Sequence, residues 1–332
     1  LELTAEHVIE VRDLCKWFPV RRGFVASLFG GAEGRHLKAV DGVSFALRPG
    51  EVLGLAGESG CGKSTTGMTV LQLYPLNAGE IRFQGRDVAS AQDRRSLKAF
   101  RRQAQIVFQN PYESLNPRFT VAESVREPIG IHFPDDADRG RGRLLTAMER
   151  AGLMPVANYL DRYPHQLSGG QLQRIAIARA ISVEPRFLVA DEPVSMLDVS
   201  IRAGILTLLR HFSTELRMAI LYISHDLSTM RHVCTHVAIM YLGRIVELGA
   251  ANDVLDRPQH PYAKALMAAA PVMGARRRER MQLAGAVPNP MDLPRGCRFH
   301  PRCPAVMPAC RDSEPELKET DRGRTVACHL YE

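Results

Sequence analysis

The stretch Gly57-Glu58-Ser59-Gly60-Cys61-Gly62-Lys63-Ser64 places glycines, a lysine and a serine at the spacing of a phosphate-binding loop, after an apolar run and at a helix start. Glycines let backbone N–H groups turn inward around a β-phosphate, and a helix N-terminus favours the negative charge. Lys63 reaches the β- and γ-phosphates, the Ser64 hydroxyl can ligate Mg²⁺, and Thr65 with its neighbouring amides supports the α-phosphate. Chance would supply this pattern in only about one chain of this length in a hundred, which disfavours an ordinary glycine turn. Ser59, Gly60 and Cys61 lie inside the loop, where Cys61 reads as a tolerated small residue ahead of a redox group.

A second feature is Phe187-Leu188-Val189-Ala190-Asp191-Glu192, an apolar strand ending in two carboxylates. Asp191 suits the metal side, and Glu192 suits a general base facing the γ-phosphate opposite the leaving group. On their own these acids read equally well as exposed caps of a helix start. Leu167-Ser168-Gly169-Gly170-Gln171 decides between the readings, since chance would supply such a pentapeptide in about one chain in two thousand. It opens a helix on which Leu172, Ile175, Ala176 and Ala180 recur at helical spacing, so Ser168, Gly169, Gly170 and Gln171 form a second anion-binding helix start.

The elements that must position these residues alternate. His7–Arg12, Val43–Leu47 and Val52–Ala56 read as strands, with Arg48-Pro49-Gly50 as a turn, and Lys63–Leu73 reads as a helix. Apolar runs at Ile106–Phe108, Phe187–Ala190 and Met218–Ile223 suit buried parallel strands. From Asn110 to Gly169 strand signals vanish and helical stretches such as Arg143–Ala151 appear. The pattern is an α/β core with a mostly helical insertion at about 110–169.

The 332 residues are 45% hydrophobic and 24% charged, which fits a globular chain, and no apolar run approaches the length needed to span a bilayer. Leu1–Arg12 alternates apolar and charged residues and reads as a strand, not an export signal, so a cytoplasmic location is expected. The net charge of +7 permits acidic partners without requiring them. Of seven cysteines, Cys297, Cys303, Cys310 and Cys328 crowd the end of the chain, and eight of the 21 prolines lie from Pro271 onward. A boundary near Pro271 follows, dividing 1–271 from a Cys/Pro-rich extension at 272–332. In a reducing cytosol such a cluster suggests metal before disulfides.

With phosphate loop, signature and acidic strand in this order, residues 5 to 270 resemble the nucleotide-binding domain of ABC transporters. The resemblance implies a P-loop NTPase fold, a RecA-like core with an antiparallel β-subdomain and a helical insertion. It also implies ATP and Mg²⁺ as ligands, and a second ABC ATPase subunit, so that each ATP lies between the loop of one chain and the signature of the other. By the same resemblance Gln109 contacts Mg²⁺ and water and senses the transmembrane subunit. Ser195-Met196-Leu197-Asp198 crosses the dimer interface, with Met196 where alanine is common, and His225 holds the γ-phosphate. Phe18 stacks on adenine, with Trp17 as the alternative; equally, the two are a buried aromatic pair.

A narrower likeness lies in Pro111-Tyr112, Ser114-Leu115-Asn116-Pro117, Tyr163-Pro164-His165-Gln166 and His260-Pro261-Tyr262, which together with the cysteine-rich tail resemble oligopeptide and dipeptide importers; nickel importers share much of the core. This resemblance implies two transmembrane permease subunits, an extracytoplasmic solute-binding protein, a related ATPase partner and a place on the cytoplasmic face of the inner membrane. It also implies a [4Fe–4S] cluster on Cys297, Cys303, Cys310 and Cys328. Spacing alone suits tetrahedral zinc as well, with His300 or His329 as substitutes, and four ordinary cysteines remain an alternative. A nucleic-acid-associated ABC ATPase has only Arg276-Arg277-Arg278-Glu279-Arg280 behind it, a run that more often marks a solvated helix face, so no nucleic acid is expected. A nucleotide-binding metal sensor is opposed by Glu192.

Overall fold

Short apolar runs have no polar face to turn to water, so they become strands covered on both sides. Val52–Ala56, Phe187–Asp191 and Ala219–Ile223 are buried at every position. The computed structural model describes residues 7–20, 36–88, 93–134, 137–269, 285–321 and 323–332. Its strands are β1 (Ile9–Pro19), β2 (His36–Leu47), β3 (Val52–Ala56), β4 (Ala78–Phe83), β5 (Arg86–Asp87), β6 (Ala104–Val107), β7 (Phe187–Asp191), β8 (Ala219–Ile223), β9 (His236–Tyr241), β10 (Arg244–Ala250), β11 (Lys318–Glu319) and β12 (Thr325–Val326). Its helices are α1 (Lys63–Val70), α2 (Arg94–Gln103), α3 (Pro111–Ser114), α4 (Val121–His132), α5 (Ala137–Arg150), α6 (Gly169–Ile181), α7 (Val199–Thr214), α8 (Leu227–Val233), α9 (Ala251–Asp256), α10 (Pro261–Ala269) and α11 (Ala309–Asp312). Packing divides the chain into two units, one of Leu1–Ile9, Leu47–Leu53 and Arg82–Ser224, the other of Glu10–Ala46, Gly54–Ile81 and His225–Glu332. The expected boundary near Pro271 and the Arg276–Arg280 run lie outside the described residues.

In the first unit β6, β7 and β8 run parallel, with Val107 opposite Ala190 and Asp191 opposite Ile223. This register brings the residues just after β6 and β7 out at the same end of the sheet, where open α/β sheets place their ligands. The described residues between 110 and 169 contain helices and no strand, as the sequence predicts. Thr120 and Glu123 close a capping box at the start of α4, and α4 packs on α5 and α6. Helix α6 is buried more completely than its spacing suggests: Gln173, Ile177, Ala178 and Ile181 join Leu172, Ile175, Ala176 and Ala180 inside.

In the second unit β9, β10, β12 and β11 form an antiparallel run, Glu247 and Leu248 of β10 pairing with Val326 and Thr325 of β12. Arg324, at 3% exposure, carries its guanidinium to Glu247, which is fully buried and accepts N–H bonds from Gln259 at 3.0 Å and His260 at 2.7 Å. Tyr241, Tyr262 and Phe299 pack ring against ring with centroids 4.6 to 5.4 Å apart. His260 lies against Phe299, and its Nδ1 accepts the Tyr262 N–H at 3.0 Å. Burial first, with Lys264 adding to it, pushes His260 down to about 3.

The sign of the resulting pH dependence is fixed. An imidazole that stays neutral when folded but titrates at its ordinary 6.5 when unfolded contributes stability present above that value and lost as pH falls toward 3. Urea unfolding at pH 7 and pH 5 is expected to show wild type losing about 2 kcal/mol more than His260→Gln. Parallel pH profiles for the two would assign the loss to other groups.

Candidate active site

The phosphate loop joins β3 to α1 as its sequence requires. Gly62 caps α1 with φ of 108°, and a Cβ there would lie 2.0 Å from the carbonyl oxygen of Ala39. A Cβ on Gly57 would lie 2.2 Å from that of Met240, so both positions exclude any side chain. Lys63 is buried, its ammonium donating to the carbonyls of Gly57 at 2.8 Å and Glu58 at 3.0 Å. That fixes a full positive charge inside the turn. Ser59, Gly60 and Ser64 are exposed and Thr65 is half-buried, while the Thr66 hydroxyl turns back to the Gly62 carbonyl at 2.9 Å. Cys61 is buried, and its desolvation pushes the thiol up despite the nearby Lys63. A neutral, enclosed thiol matches a space-filling role.

Trp17 and Phe18 are half-exposed and differ in what holds them. The Trp17 indole N–H donates to Asp41 at 3.0 Å and Lys38 covers its ring, whereas Phe18 stands edge-on to Tyr74, with centroids 5.6 Å apart and the Lys16 ammonium 4.9 Å from its ring. They do not form the buried pair that was the alternative reading. His225, in the same unit, is exposed ahead of α8.

In the first unit, the Gln109 amide donates to the Glu192 carboxylate at 3.1 Å. Asp191 ends β7 at 7% exposure, and Glu192 turns out of the strand with φ of 46°, a left-handed conformation uncommon for a residue with a side chain. The Glu192 backbone is pinned there: its N–H donates to Ile223 at 2.9 Å and its carbonyl accepts the Ser195 hydroxyl at 3.0 Å. Strain held this firmly is a feature of functional positions.

The signature lies at the start of α6. Ser168 and Gln171 close a capping box, the Gln171 side chain accepting the Ser168 N–H at 3.0 Å. A cavity of about 330 Å³ is lined by Ser168, Gly170, Gln171, Arg174, Ser200 and Ile201 among others. A Cβ on Gly169 would make an ordinary contact with Leu197 at 3.8 Å, but one on Gly170 would meet the Ile201 side chain at 2.6 Å. Asp198 caps α7 and is exposed, as are Met196 and Val199 beside it.

The four late cysteines are drawn together by the fold, the Cys297 N–H donating to the Cys310 carbonyl at 2.9 Å. Burial pushes the Cys297 thiol up to about 11, with Cys310, Cys328 and Cys303 opposing its ionisation further. Burial also raises Cys303 and Cys328. Among the described residues no group of three or more His, Cys, Asp or Glu is placed to hold a metal ion, so the expected metal set is not found as a formed site. Both His329 nitrogens are engaged, with Glu332 and the Ser313 carbonyl, which removes it as a substitute ligand; His300 Nδ1 contacts the Cys297 carbonyl.

The sequence reading passes over Glu58. Its N–H donates to the Tyr262 hydroxyl at 2.8 Å and its carboxylate takes both terminal nitrogens of Arg302. The only sequence cue was an acid inside an anion-binding loop.

Comparison with known proteins follows the same lines. Residues 40–195 match the family described as ABC transporter, and residues 246–310 match the oligopeptide/dipeptide transporter C-terminal region. The chain is 44% identical to the oligopeptide transport ATP-binding protein AppF of Bacillus subtilis, covering 98% of each. It is 42% identical to the dipeptide transport ATP-binding protein DppF of Escherichia coli, covering 97% of this chain and 93% of that one. Among solved structures, cbiO1 of Clostridium perfringens, part of an ABC transporter complex, superposes with a TM-score of 0.63 at 26% identity, covering 76% of this chain and 92% of that one. A post-hydrolysis dimer of an ATP-binding cassette bound to ADP and Pi gives 0.63 at 25% identity, covering 73% and 98%.

The close approach of α6 to α7 yields a reciprocal test. Gly170→Ala is expected to lower stability by about 2 kcal/mol through overpacking against Ile201. Adding Ile201→Ala should recover about half of that, since neighbours sharing one space are not additive. Chemical denaturation of the four chains reads the outcome, and strictly additive losses would place the strain elsewhere.

Proposed function

The chain belongs to the ABC transporter family, among its oligopeptide and dipeptide ATP-binding proteins, and from that premise we propose that it hydrolyses ATP to power peptide import through a membrane complex. What carries this reading is the whole-length identity to peptide transport ATP-binding proteins, joined to an intact phosphate loop and an oriented Glu192.

The roles follow from the chemistry. The Gly57–Thr65 turn holds the nucleotide's phosphates through backbone N–H groups, and Lys63 offsets their charge. Phe18 takes the adenine ring, since Trp17 is already tethered to Asp41. Glu192 accepts the proton of the attacking water, and the Gln109 amide, bound to that carboxylate, fixes its direction. Ser64, Asp191 and Gln109 are the residues that would hold Mg²⁺, which supplies charge stabilisation on the phosphoryl oxygens. His225 contacts the γ-phosphate. The Ser168–Gln171 helix start and Asp198 face a nucleotide held mainly by a second, related ATPase subunit, because a capped helix N-terminus with a side-chain-free approach is an anion site. The complex includes two permease subunits and a solute-binding protein, and the chain sits peripherally on the cytoplasmic face. Among the described residues no helix is long and apolar enough to cross a membrane.

For the tail we propose a [4Fe–4S] cluster on Cys297, Cys303, Cys310 and Cys328. Support comes from the crowded thiols: burial first, and neighbouring cysteines second, oppose ionisation of Cys297, Cys303 and Cys328, a cost that a bound cationic centre relieves. Tetrahedral zinc on the same four cysteines is the alternative, and the metal content of the purified protein decides between them.

Three outcomes are expected. In vesicles carrying the permease pair and the solute-binding protein, ATP-dependent uptake follows a di- or oligopeptide and not nickel; uptake of nickel alone would reverse the substrate assignment. Glu192→Gln lowers turnover at least about a hundredfold while ATP still binds. Protein purified without oxygen contains iron and acid-labile sulfide, and a colourless protein with stoichiometric zinc overturns the cluster.

A further inference from the structure

An acidic residue inside a phosphate-binding loop is an electrostatic liability. Glu58 directly follows Gly57, and its charge would repel the anion that the loop exists to hold. Its surroundings in the second unit answer that problem. Arg302, 7% exposed, meets the Glu58 carboxylate with both terminal nitrogens, at 2.8 and 3.0 Å. This is the fork-to-fork geometry that fixes direction as well as distance. Arg302 Nη1 also lies 3.5 Å from the Tyr241 hydroxyl, and the guanidinium carbon lies 5.9 Å from that ring's centroid. The other side of Glu58 is held by the Tyr262 hydroxyl, which accepts its backbone N–H at 2.8 Å. Tyr241 and Tyr262 both pack on Phe299, whose carbonyl accepts the Arg302 N–H at 3.0 Å. Glu58 is thus held by its main chain through Tyr262 and by its side chain through Arg302, both of which adjoin Phe299.

We propose that Arg302 is a positioning residue for nucleotide binding: from the C-terminal segment it neutralises Glu58 and holds the Gly57–Gly62 turn in the shape that accepts phosphates. The inference rests on the phosphate-loop reading and is independent of the transported solute. It makes part of the nucleotide site a product of residues near the end of the chain.

The test is titration of the full chain with a fluorescent ATP analogue and Mg²⁺, with unfolding followed on the same samples. Arg302→Gln is expected to bind about tenfold more weakly, because it leaves the Glu58 charge uncompensated. Adding Glu58→Gln to it should bring the affinity back to within about threefold of wild type, and raising salt should shrink the single-variant defect. Arg298→Gln is the control, since Arg298 ties the same segment to Asp41, Glu314 and the Leu242 carbonyl without touching the loop. It should lose stability and keep its affinity. Arg302→Lys retains the charge without the fork and is expected to weaken binding about twofold; it serves also if Arg302→Gln does not fold. Wild-type affinity in both Arg302 variants, equal weakening by Arg298→Gln, or no recovery in the double variant would each overturn the proposal.

Discussion

A triphosphate is held best by backbone N–H groups, and a backbone can surround an anion only where side chains are kept out. That requirement fixes the loop before α1. Gly57 and Gly62 lie so close to the carbonyls of Met240 and Ala39 that a methyl group on either would overlap backbone, which has nowhere to go. The loop therefore inherits its shape from the strands it touches, β9 and β2, as much as from its own residues. Lys63, donating into two carbonyls of the same turn, closes it from within. Enclosure also explains how the loop tolerates a cysteine: Cys61 is desolvated and its thiol kept neutral, so it occupies space without offering a nucleophile.

The acidic end solves a different problem, that of aiming a carboxylate. A strand buried on both faces holds its last residue firmly, and β7 holds Asp191 that way. Glu192 must then leave the strand direction, and it does so through a left-handed backbone that costs on the order of 1–3 kcal/mol. Its bonds to Ile223 and Ser195 sustain that conformation, and the Gln109 amide sets the side chain. Because β6 and β7 are in parallel register, Gln109 arrives at this position by strand geometry, needing only a short turn after Val107.

Much of this was legible in the sequence because the carriers are local. Val52–Ala56 becomes β3 with the same bounds, and Phe187–Ala190 and Met218–Ile223 miss β7 and β8 by one residue each, since continuous apolar runs leave no choice of face. Edges were harder. The first strand was expected to end at Arg12 and instead runs to Pro19, as buried Lys16 hides its ammonium on the Pro75 carbonyl. The first helix stops at Val70, short of Leu73, because Gln72 takes a left-handed backbone. Cysteine spacing could not report thiol placement, which depends on main-chain contacts such as the Cys297 N–H on the Cys310 carbonyl. Least legible were pairs separated by most of the chain: nothing near Glu58 names Arg302, and a two-residue strand such as Thr325–Val326 is too short to have a period.

The segment after residue 285 is joined to its unit by an unusual means. It contributes few large apolar side chains, with Phe299 as the main one, yet it buries Arg298, Arg302 and Arg324. Each meets an acid on a different element: Asp41 in β2, Glu58 in the phosphate loop and Glu247 in β10. Desolvation takes back most of what such pairs gain, so they are poor sources of stability compared with an apolar contact of the same size. What they supply is direction, since a guanidinium fork satisfies a carboxylate only in one relative placement. Three such pairs at separate points, a fork at Glu58 and single-nitrogen contacts at Asp41 and Glu247, set the placement of a segment too poor in apolar residues to be placed by burial alone. A hydrophobic anchor could slide and still be buried; an arginine left without its acid could not, and that difference is the reason to place a loop-contacting segment with charges.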